Sequence, residues 1–593
     1  MPTIYQWRLC AFISIILFSG CIETNQSFKT LELEKTQILK DLANRSDLSK
    51  TLKNSKTDTL SLESVSGSVY EYFQNPTETI AIDSVLNTEL NIGYSDQYIW
   101  NVNQSKMLKV RLRNYNGLLV PPTFRIKPGD LLRVKLNNNL PVLTDNVSCD
   151  PFGHKHGDFA DSCNQKNPAT FNTTNLHTHG LHVSPKDSSD NVLVHIAPTC
   201  DFQNHILLPD NHPQGTFWYH AHVHGSTAVQ VSSGMAGAII IEGGLDTLAE
   251  IKAAEEKIFV LQQIPYTYDS ANNVYSVEDF DASFGPGTWA KGVEENGWRT
   301  TINGQTYPII QMKSGEVQRW RFIHAGVRES LELQLEGHTM HEIALDGISL
   351  GRMESKDSIQ MEPGYRSDVL VKANLVSESD TVFLIDREAP KDASLLQEYE
   401  SPKVLAIVII SPEVNDMPLP TSNQLKPYAP FKSISSNELE PPIQKVWFNI
   451  DINSSPTCFT VNDQPFSMDN PPRKLLLNSA NEWIVTSNFV NHPFHIHVNS
   501  FEIFKIKKAN GTIQEFDPPI WKDTYLIMQN DSVHMRSRYE NFDGEFVLHC
   551  HILDHEDQGM MELVKIVKSE DVLSSINQKE LLTSGIAFCG PTQ

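Results

Sequence analysis

Ten of the chain's 21 histidines fall in four tight groups. They are His177-Thr178-His179, His220-Ala221-His222, His492-Pro493-Phe494-His495-Ile496-His497, and His549-Cys550-His551 with His555 and Met560 behind it. Residues i and i+2 of a strand share a face, so a His-x-His pair in extended chain aims two imidazoles at one point. Neutral imidazole binds copper strongly, and a thiolate with two histidines and a weak methionine is the ligand set of a blue electron-transfer copper. A single pair would be explained as well by surface or core histidines. Four groups, one holding a cysteine between two histidines, are not. A zinc hydrolase needs three protein ligands and an open position rather than ten clustered histidines. Metal ligation also gives Cys550 a use other than a disulfide.

Extended chain must position these groups, and the surrounding sequence reads that way. Met107 to Leu112 and Leu131 to Leu136 alternate in strand fashion, with Pro128-Gly129-Asp130 as the turn before the second run. Short strands punctuated by Gly, Pro and Asn continue nearly to Val567. Proline is too frequent, and helical periodicity too scarce, for an all-helical protein, so a series of β-sandwiches is expected. Three blocks stand out: 96–245, ending in Ala238 to Ile241; 255–412, with strands at Val317 to Phe322, Ser367 to Val371 and Val404 to Ile410; and 441–569. The Pro- and Ser-rich stretch 413–440 reads as a linker and 570–593 as a tail. Residues 22–95 are polar and read as an extension or tether, with a helix at Leu31 to Leu42.

Composition narrows the function classes. Hydrophobic residues make up 40% of the 593, enough for sizeable cores. Asp and Glu number 72 against 48 Lys and Arg, a formal charge of −24, which argues against nucleic acid and against a basic membrane-binding face. Simple solubility accounts for that acidity. Residues 1–21 read as an export signal, with Arg8 before the apolar run Cys10 to Phe18. Phe18-Ser19-Gly20-Cys21 resembles a bacterial lipobox, in which Cys21 is lipidated after cleavage; ordinary signal cleavage is the alternative. The expected location is the periplasm or cell envelope. In such an oxidising compartment one or two disulfides are expected among Cys149, Cys163, Cys200, Cys458 and Cys589, and spacing alone does not pair them.

The four motifs, in this order, resemble those of the multicopper oxidases, the three-domain family that includes laccases, spore-coat oxidases and copper-efflux oxidases. The resemblance covers residues 96 to 569 and implies an all-β chain of three consecutive cupredoxin-like Greek-key sandwiches. It implies four copper ions. His492, Cys550 and His555 match the ligands of the type 1 copper, with Met560 axial. His177 and His495 match the type 2 ligands. His179, His220 and His551 match one type 3 copper, and His222, His497 and His549 the other. Electrons from a small donor then enter at the first copper, and dioxygen is reduced to water at the other three. Methionine as axial ligand favours easily oxidised donors.

The resemblance also implies proton-handling acids. Glu556, directly after His555, matches the bacterial proton donor; its bland role is to hydrogen-bond a ligand histidine. Asp190 matches the acid near the type 2 water, with Asp187 as its rival. Trp521-Lys522-Asp523-Thr524 resembles the segment packed near the type 1 site, where Asp523 either orders a loop or greets a cationic substrate. His182 and His224 are read as non-ligands, as are His154, His156, His195, His205 and His212. The same holds for His324, His338 and His341 of a middle domain that serves as a spacer. Trp218 and Tyr219 are read as packing residues. Thirteen methionines without a Met-rich insertion weaken a cuprous-oxidase reading. A laccase-like oxidase of phenols or aromatic amines is therefore expected first. Oxidation of Cu(I), Fe(II) or Mn(II) comes second, and a blue copper carrier or copper store third.

Overall fold

The alternating run at Leu131 forms the strand Leu131–Asn138, whose even-numbered residues are buried while the odd-numbered ones are partly exposed. That two-residue rhythm recurs in Ser532–Tyr539 and Gln444–Asp451, as expected where one sheet face meets a core and the other meets water. A computed structural model describes residues 28–44, 69–142, 149, 171–270, 272–284, 297–395, 397–429 and 431–569. The described strands form six sheets. They pair into three sandwiches in chain order, as expected. Val85–Asn101, Lys106–Tyr115, Leu131–Asn138 and Asp201–Leu207 lie in the first, opposite a sheet carrying His177–His179 and Thr216–His220. The third holds His492–Ile496 beside Gly544–Cys550 and Thr524–Ile527. Met107, Leu131, Ala238, Val317, Ser367 and Val404 all lie within strands, as the sequence predicts.

The boundaries differ from those expected. Residues before 96 are not all tether. Val85–Asn101 pairs in parallel with Leu131–Asn138 and antiparallel with Lys106–Tyr115, so the first domain begins well upstream. Leu86, Leu90 and Ile92 supply the apolar face that makes this strand part of the core. The helix expected at Leu31 to Leu42 spans 28–43, and it is docked. Leu31 and Ile38 bury against Tyr307, Ile309 and Ile407 of the middle domain. Glu34 accepts from the Tyr307 hydroxyl at 2.6 Å, and Lys35 pairs with Glu336. The stretch 413–440 is likewise ordered where it passes the middle domain, with Leu425 wholly buried. The hairpin Thr267–Asp269 and Val274–Ser276, placed by sequence in the second block, pairs with Lys106–Tyr115 of the first domain. Residues 1–27, 150–170 and 570–593, which carry the signal, His154, His156, Cys163, the tail and Cys589, lie outside the described residues. Cys149 and Cys200 form a disulfide, and Cys458 is also disulfide-bonded.

One polar cluster is sealed inside the middle domain. Lys403 is buried against Glu329, with Asp386 and Glu400 close by. One ammonium cannot balance three carboxylates. Burial pushes both Asp386 and Glu400 up to about 8, so each keeps a proton that the unfolded chain loses near pH 4. The folded state then binds more protons than the unfolded one between about pH 4 and 8, and this contribution to stability falls as pH rises through that window. Asp386→Asn should flatten the fall, which for one proton is at most about 1.4 kcal/mol per pH unit. The check is the difference in thermal unfolding midpoint between pH 5 and pH 8, which should be smaller in the variant.

Candidate metal centre

The strand His177–His179 pairs with Thr216–His220, setting His177 opposite His220 and His179 opposite Trp218. In the third domain His495 lies opposite His549 and Phe494 opposite Cys550. Alternation then sorts the last motif. His549 and His551 face the first domain, while Cys550 turns inward to the core that holds Met560. Eight histidines from the two outer domains thus meet at their interface, and all are buried.

Their geometry is that of converging ligands. Nε2 of His549 lies 3.2 Å from Nε2 of both His222 and His497. Nε2 of His551 lies 3.3 Å from Nδ1 of His179. His177 stacks on His497, and His179 on His495, each at 3.9 Å. The ligand atoms fall into close groups within 4.8 Å, among them His222, His497, His549 and, apart from these, His492, Cys550, His555. Other groups join His177 to His179 and His220, and to His495 and His497, and His551 joins through His179, so the eight form one continuous cluster.

Protein groups take the outer nitrogens. Asp190 Oδ2 lies 3.1 Å from Nδ1 of His177, and Asp190 Oδ1 accepts the Thr178 N–H. Nδ1 of His220 donates to the Ala221 carbonyl and Nδ1 of His549 to the Cys550 carbonyl, both at 2.9 Å. Nδ1 of His495 donates to the Asp523 carbonyl at 2.8 Å. This leaves Nε2 of His177, His220, His492 and His495, and Nδ1 of His555, buried without a protein partner. Orphaned buried polar atoms are costly, and lone pairs converging in this way fit a metal. Burial keeps the rings neutral and ready to ligate, pushing His220, His492, His495 and His549 down to about 3. It pushes the Cys550 thiol up, so that a metal ion is what would make it a thiolate. The Ile552 N–H points at its Sγ from 3.3 Å. Met560 is buried beside it, its backbone bonded to Cys550 and His555.

The acids fall where their burial allows. Glu556 is fully buried, 3.5 Å from Nδ1 of His222 and 3.6 Å from Nδ1 of His549, and accepts from the Thr227 hydroxyl. Burial, and then neighbouring Asp557, raise its proton affinity well above the usual carboxylate range. Asp190 is pushed up to about 7 by burial, whereas Asp187 is exposed. Asp557, unremarked in the sequence, accepts the N–H groups of Gly225, Thr227 and Ala228 and so clamps the first domain to the third. Trp218 stacks on His220, and Tyr219 on Phe124, both as packing residues.

Asp523 has the structural use preferred for it from the sequence, but beside the histidine cluster rather than near the Cys550 group. It is buried, 3.3 Å from Nε2 of His179. Arg366 of the middle domain holds both its oxygens, one at 2.8 Å, and Asp346 supports Arg366. The spacer role of the middle domain is therefore too small, since its guanidinium fixes the residue whose carboxylate meets His179 and whose main-chain carbonyl meets His495. Gly180 is required beneath this pair: it has φ +86, and a Cβ there would lie 2.3 Å from Arg366 Nη2. No sequence spacing connects Arg366 to Asp523. The other described histidines lie outside the converging groups. Nδ1 of His182 donates to the Val498 carbonyl, and His212 accepts the His182 N–H. His224 is buried edge-on to Phe466. His205 contacts Ser188, His324 contacts Gln263, His338 bonds Glu336 and Asn374, and His341 bonds Ser355.

Three family profiles, each described as multicopper oxidase, match residues 160–245, 268–387 and 440–570. A multicopper oxidase of Staphylococcus aureus is 24% identical over 471 residues, 77% of this chain and 83% of that protein. A laccase of Bacillus subtilis is 24% identical over 507 residues, 77% of this chain and 90% of that one. The fold is also similar to the solved structure of a Campylobacter jejuni multicopper oxidase described as a metallo-oxidase. That likeness has a TM-score of 0.63 at 21% identity, covering 84% of this chain and 96% of the other.

Asp523→Asn should loosen His179, whose Nε2 faces the carboxylate, and weaken metal retention at the histidine cluster about 10- to 100-fold. The His492-Cys550-His555 group should be spared. Metal content per chain after dialysis against a graded chelator, with the thiolate absorption band as internal control, measures both.

Proposed function

This chain belongs to the multicopper oxidase family, and from that premise we propose that it is a laccase-like enzyme oxidising small phenolic or aromatic amine donors. Copper-dependent reduction of dioxygen is the chemistry of the family. The donor is the finer part of the reading. The observation that carries the oxidase reading is the position of Cys550, buried with His492, His555 and Met560 on one side while its two neighbours reach the histidine cluster on the other. A blue copper carrier has no use for that second cluster.

In this reading four coppers would be held: one by His492, Cys550, His555 and Met560, one by His177 and His495, one by His179, His220 and His551, and one by His222, His497 and His549. When bound, they supply one-electron oxidation of donors and four-electron reduction of dioxygen to two waters. The chain's own residues do the rest. The backbone from Cys550 to His549 and His551 joins donor side to oxygen side through one residue on each hand. Asp190 and Asp523 fix the far nitrogens of His177 and His179, so the inner ones stay aimed. Glu556 lies beside the outer nitrogens of two of these histidines, and burial favours its protonated form, so it can deliver protons to the oxygen-reducing side. Absence of a methionine-rich insertion supports an aromatic donor over Cu(I). The disulfides support an exported protein of the periplasm or cell envelope. Oxidation of Cu(I), Fe(II) or Mn(II) is the second reading.

Oxygen uptake by the copper-loaded protein should be fast with a phenolic donor and slow with Fe(II) or Cu(I); uptake confined to the metal ions would reverse the order. Glu556→Gln should slow turnover about 10²- to 10⁴-fold by starving oxygen reduction of protons. Stopped-flow reduction of the thiolate-bound copper by the donor should keep its rate.

A further inference from the structure

Among the described residues only two valines have left-handed backbone, and they bracket the motif His492 to His497. Val490 has φ +51 and Val498 has φ +68. A β-branched side chain suits that region poorly, because it crowds the neighbouring backbone. At Val498 the strain is visible in the hydrogen bonding. The Asn499 N–H donates to the His497 carbonyl at 2.7 Å, closing a three-residue γ-turn with Val498 at its centre. With φ positive this is the rare and strained form of that turn.

Such backbone persists only where its surroundings over-determine it, and each turn is clamped from another domain. The Val498 carbonyl accepts from Nδ1 of His182, a first-domain ring whose Nε2 accepts from Asn541 at 3.0 Å. Beside Val490, the buried Asn491 spans two main-chain groups. Its Nδ2 donates to the Asp392 carbonyl of the middle domain at 3.0 Å, and its Oδ1 accepts the Gln529 N–H at 2.9 Å. The strained carbonyl is also tied to a ring. Val490 accepts from the Ser487 hydroxyl at 2.7 Å, nearer than the Phe489 carbonyl at 3.3 Å, and the same hydroxyl lies 2.9 Å from Nδ1 of His492. A hydroxyl has one hydrogen. With it on Val490, Ser487 accepts from His492, so the ring carries its proton on Nδ1 and leaves Nε2 bare for the Cys550 group.

We propose that Val490 and Val498 are positioning residues, whose strained turns, clamped by the middle and first domains, aim His492 into the Cys550 group and His497 into the histidine cluster. This rests on the reading of both groups as metal sites. A ring held on a clamped turn has little freedom left to lose when a metal binds, so the metal is kept more tightly. A relaxed turn of the same length would serve the fold as well and the metal less. Glycine takes positive φ without strain, whereas alanine, which keeps a Cβ, does not.

The test compares Val490→Gly with Val490→Ala, and Val498→Gly with Val498→Ala, in the copper-loaded full chain. Both replacements lose the packing of the valine, so the difference between them reports the backbone. At an ordinary position alanine gives the more stable protein. Here each glycine variant should unfold at the higher temperature. Copper retention against a graded chelator should run the other way, with each glycine variant about tenfold weaker than its alanine counterpart. The loss should be local. Val490→Gly should weaken the group that gives the thiolate absorption band and shift its reduction potential, and Val498→Gly should weaken the histidine cluster and leave that potential unchanged. Ser487→Ala should match Val490→Gly in retention, and the double variant should lose no more than either alone. Alanine variants more stable than the glycine ones would overturn the strain. Equal copper retention in glycine and alanine variants would overturn the positioning, as would equal losses at both groups. A wild type that held no copper would sink the metal reading and the positioning with it, and the wild type alone tells that outcome from the others.

Discussion

In extended chain a side chain and its two neighbours point to opposite sides, and at His549-Cys550-His551 that alternation separates two kinds of chemistry by one residue. Cysteine faces the interior of a single sandwich, where thiol, imidazole and thioether are kept dry. The histidines face a neighbouring sandwich, whose strand pairing of His177 with His220 presents the complementary rings. Neither half is a site alone. The cluster exists only because the two outer domains pack, and Asp557 holds that packing through three backbone N–H groups.

Among the described residues the middle domain contributes no member of the converging ligand groups, yet an arginine from it reaches each centre. Arg366 is buried against Asp523 beneath the histidine cluster, and Arg328 lies over His555. A buried guanidinium is costly unless its charge and donors are matched. Both are matched by carboxylates of the third domain, Asp523 and Asp554. The same carboxylates stand beside His179 and His555 of the candidate metal groups, so interdomain pairing and the orientation of those rings use the same atoms.

The sequence carried the ligands because metal binding demands particular residue types at short spacings, and an i, i+2 pair survives any change in the rest of the chain. It carried the strands because burial on one face leaves an alternating pattern, as in Leu131–Asn138. It did not carry Arg366, Arg328 or Asp557, because charges that meet across domains are separated by hundreds of residues and leave no local pattern. Asp523 was visible as part of a motif, but which side of the site it faced depended on Arg366. The early boundary was hidden for a related reason. Val85–Asn101 is mixed and polar over its second half, and only its pairing with Leu131–Asn138 shows that Leu86 and Leu90 lie in a core.

The hairpin Thr267–Ser276 follows the first strand of the middle domain in sequence but completes a sheet of the first. Modularity is broken there. A cut in the chain near 250 would strip the first domain of two strands and bare the backbone donors and acceptors of Lys106–Tyr115, an open edge of the sort that invites intermolecular pairing. The first two domains are therefore one unit of inheritance and of folding. Exchange of parts between relatives of this chain should find its tolerated crossover beyond the middle domain, in the stretch before Gln444, and not between the first two.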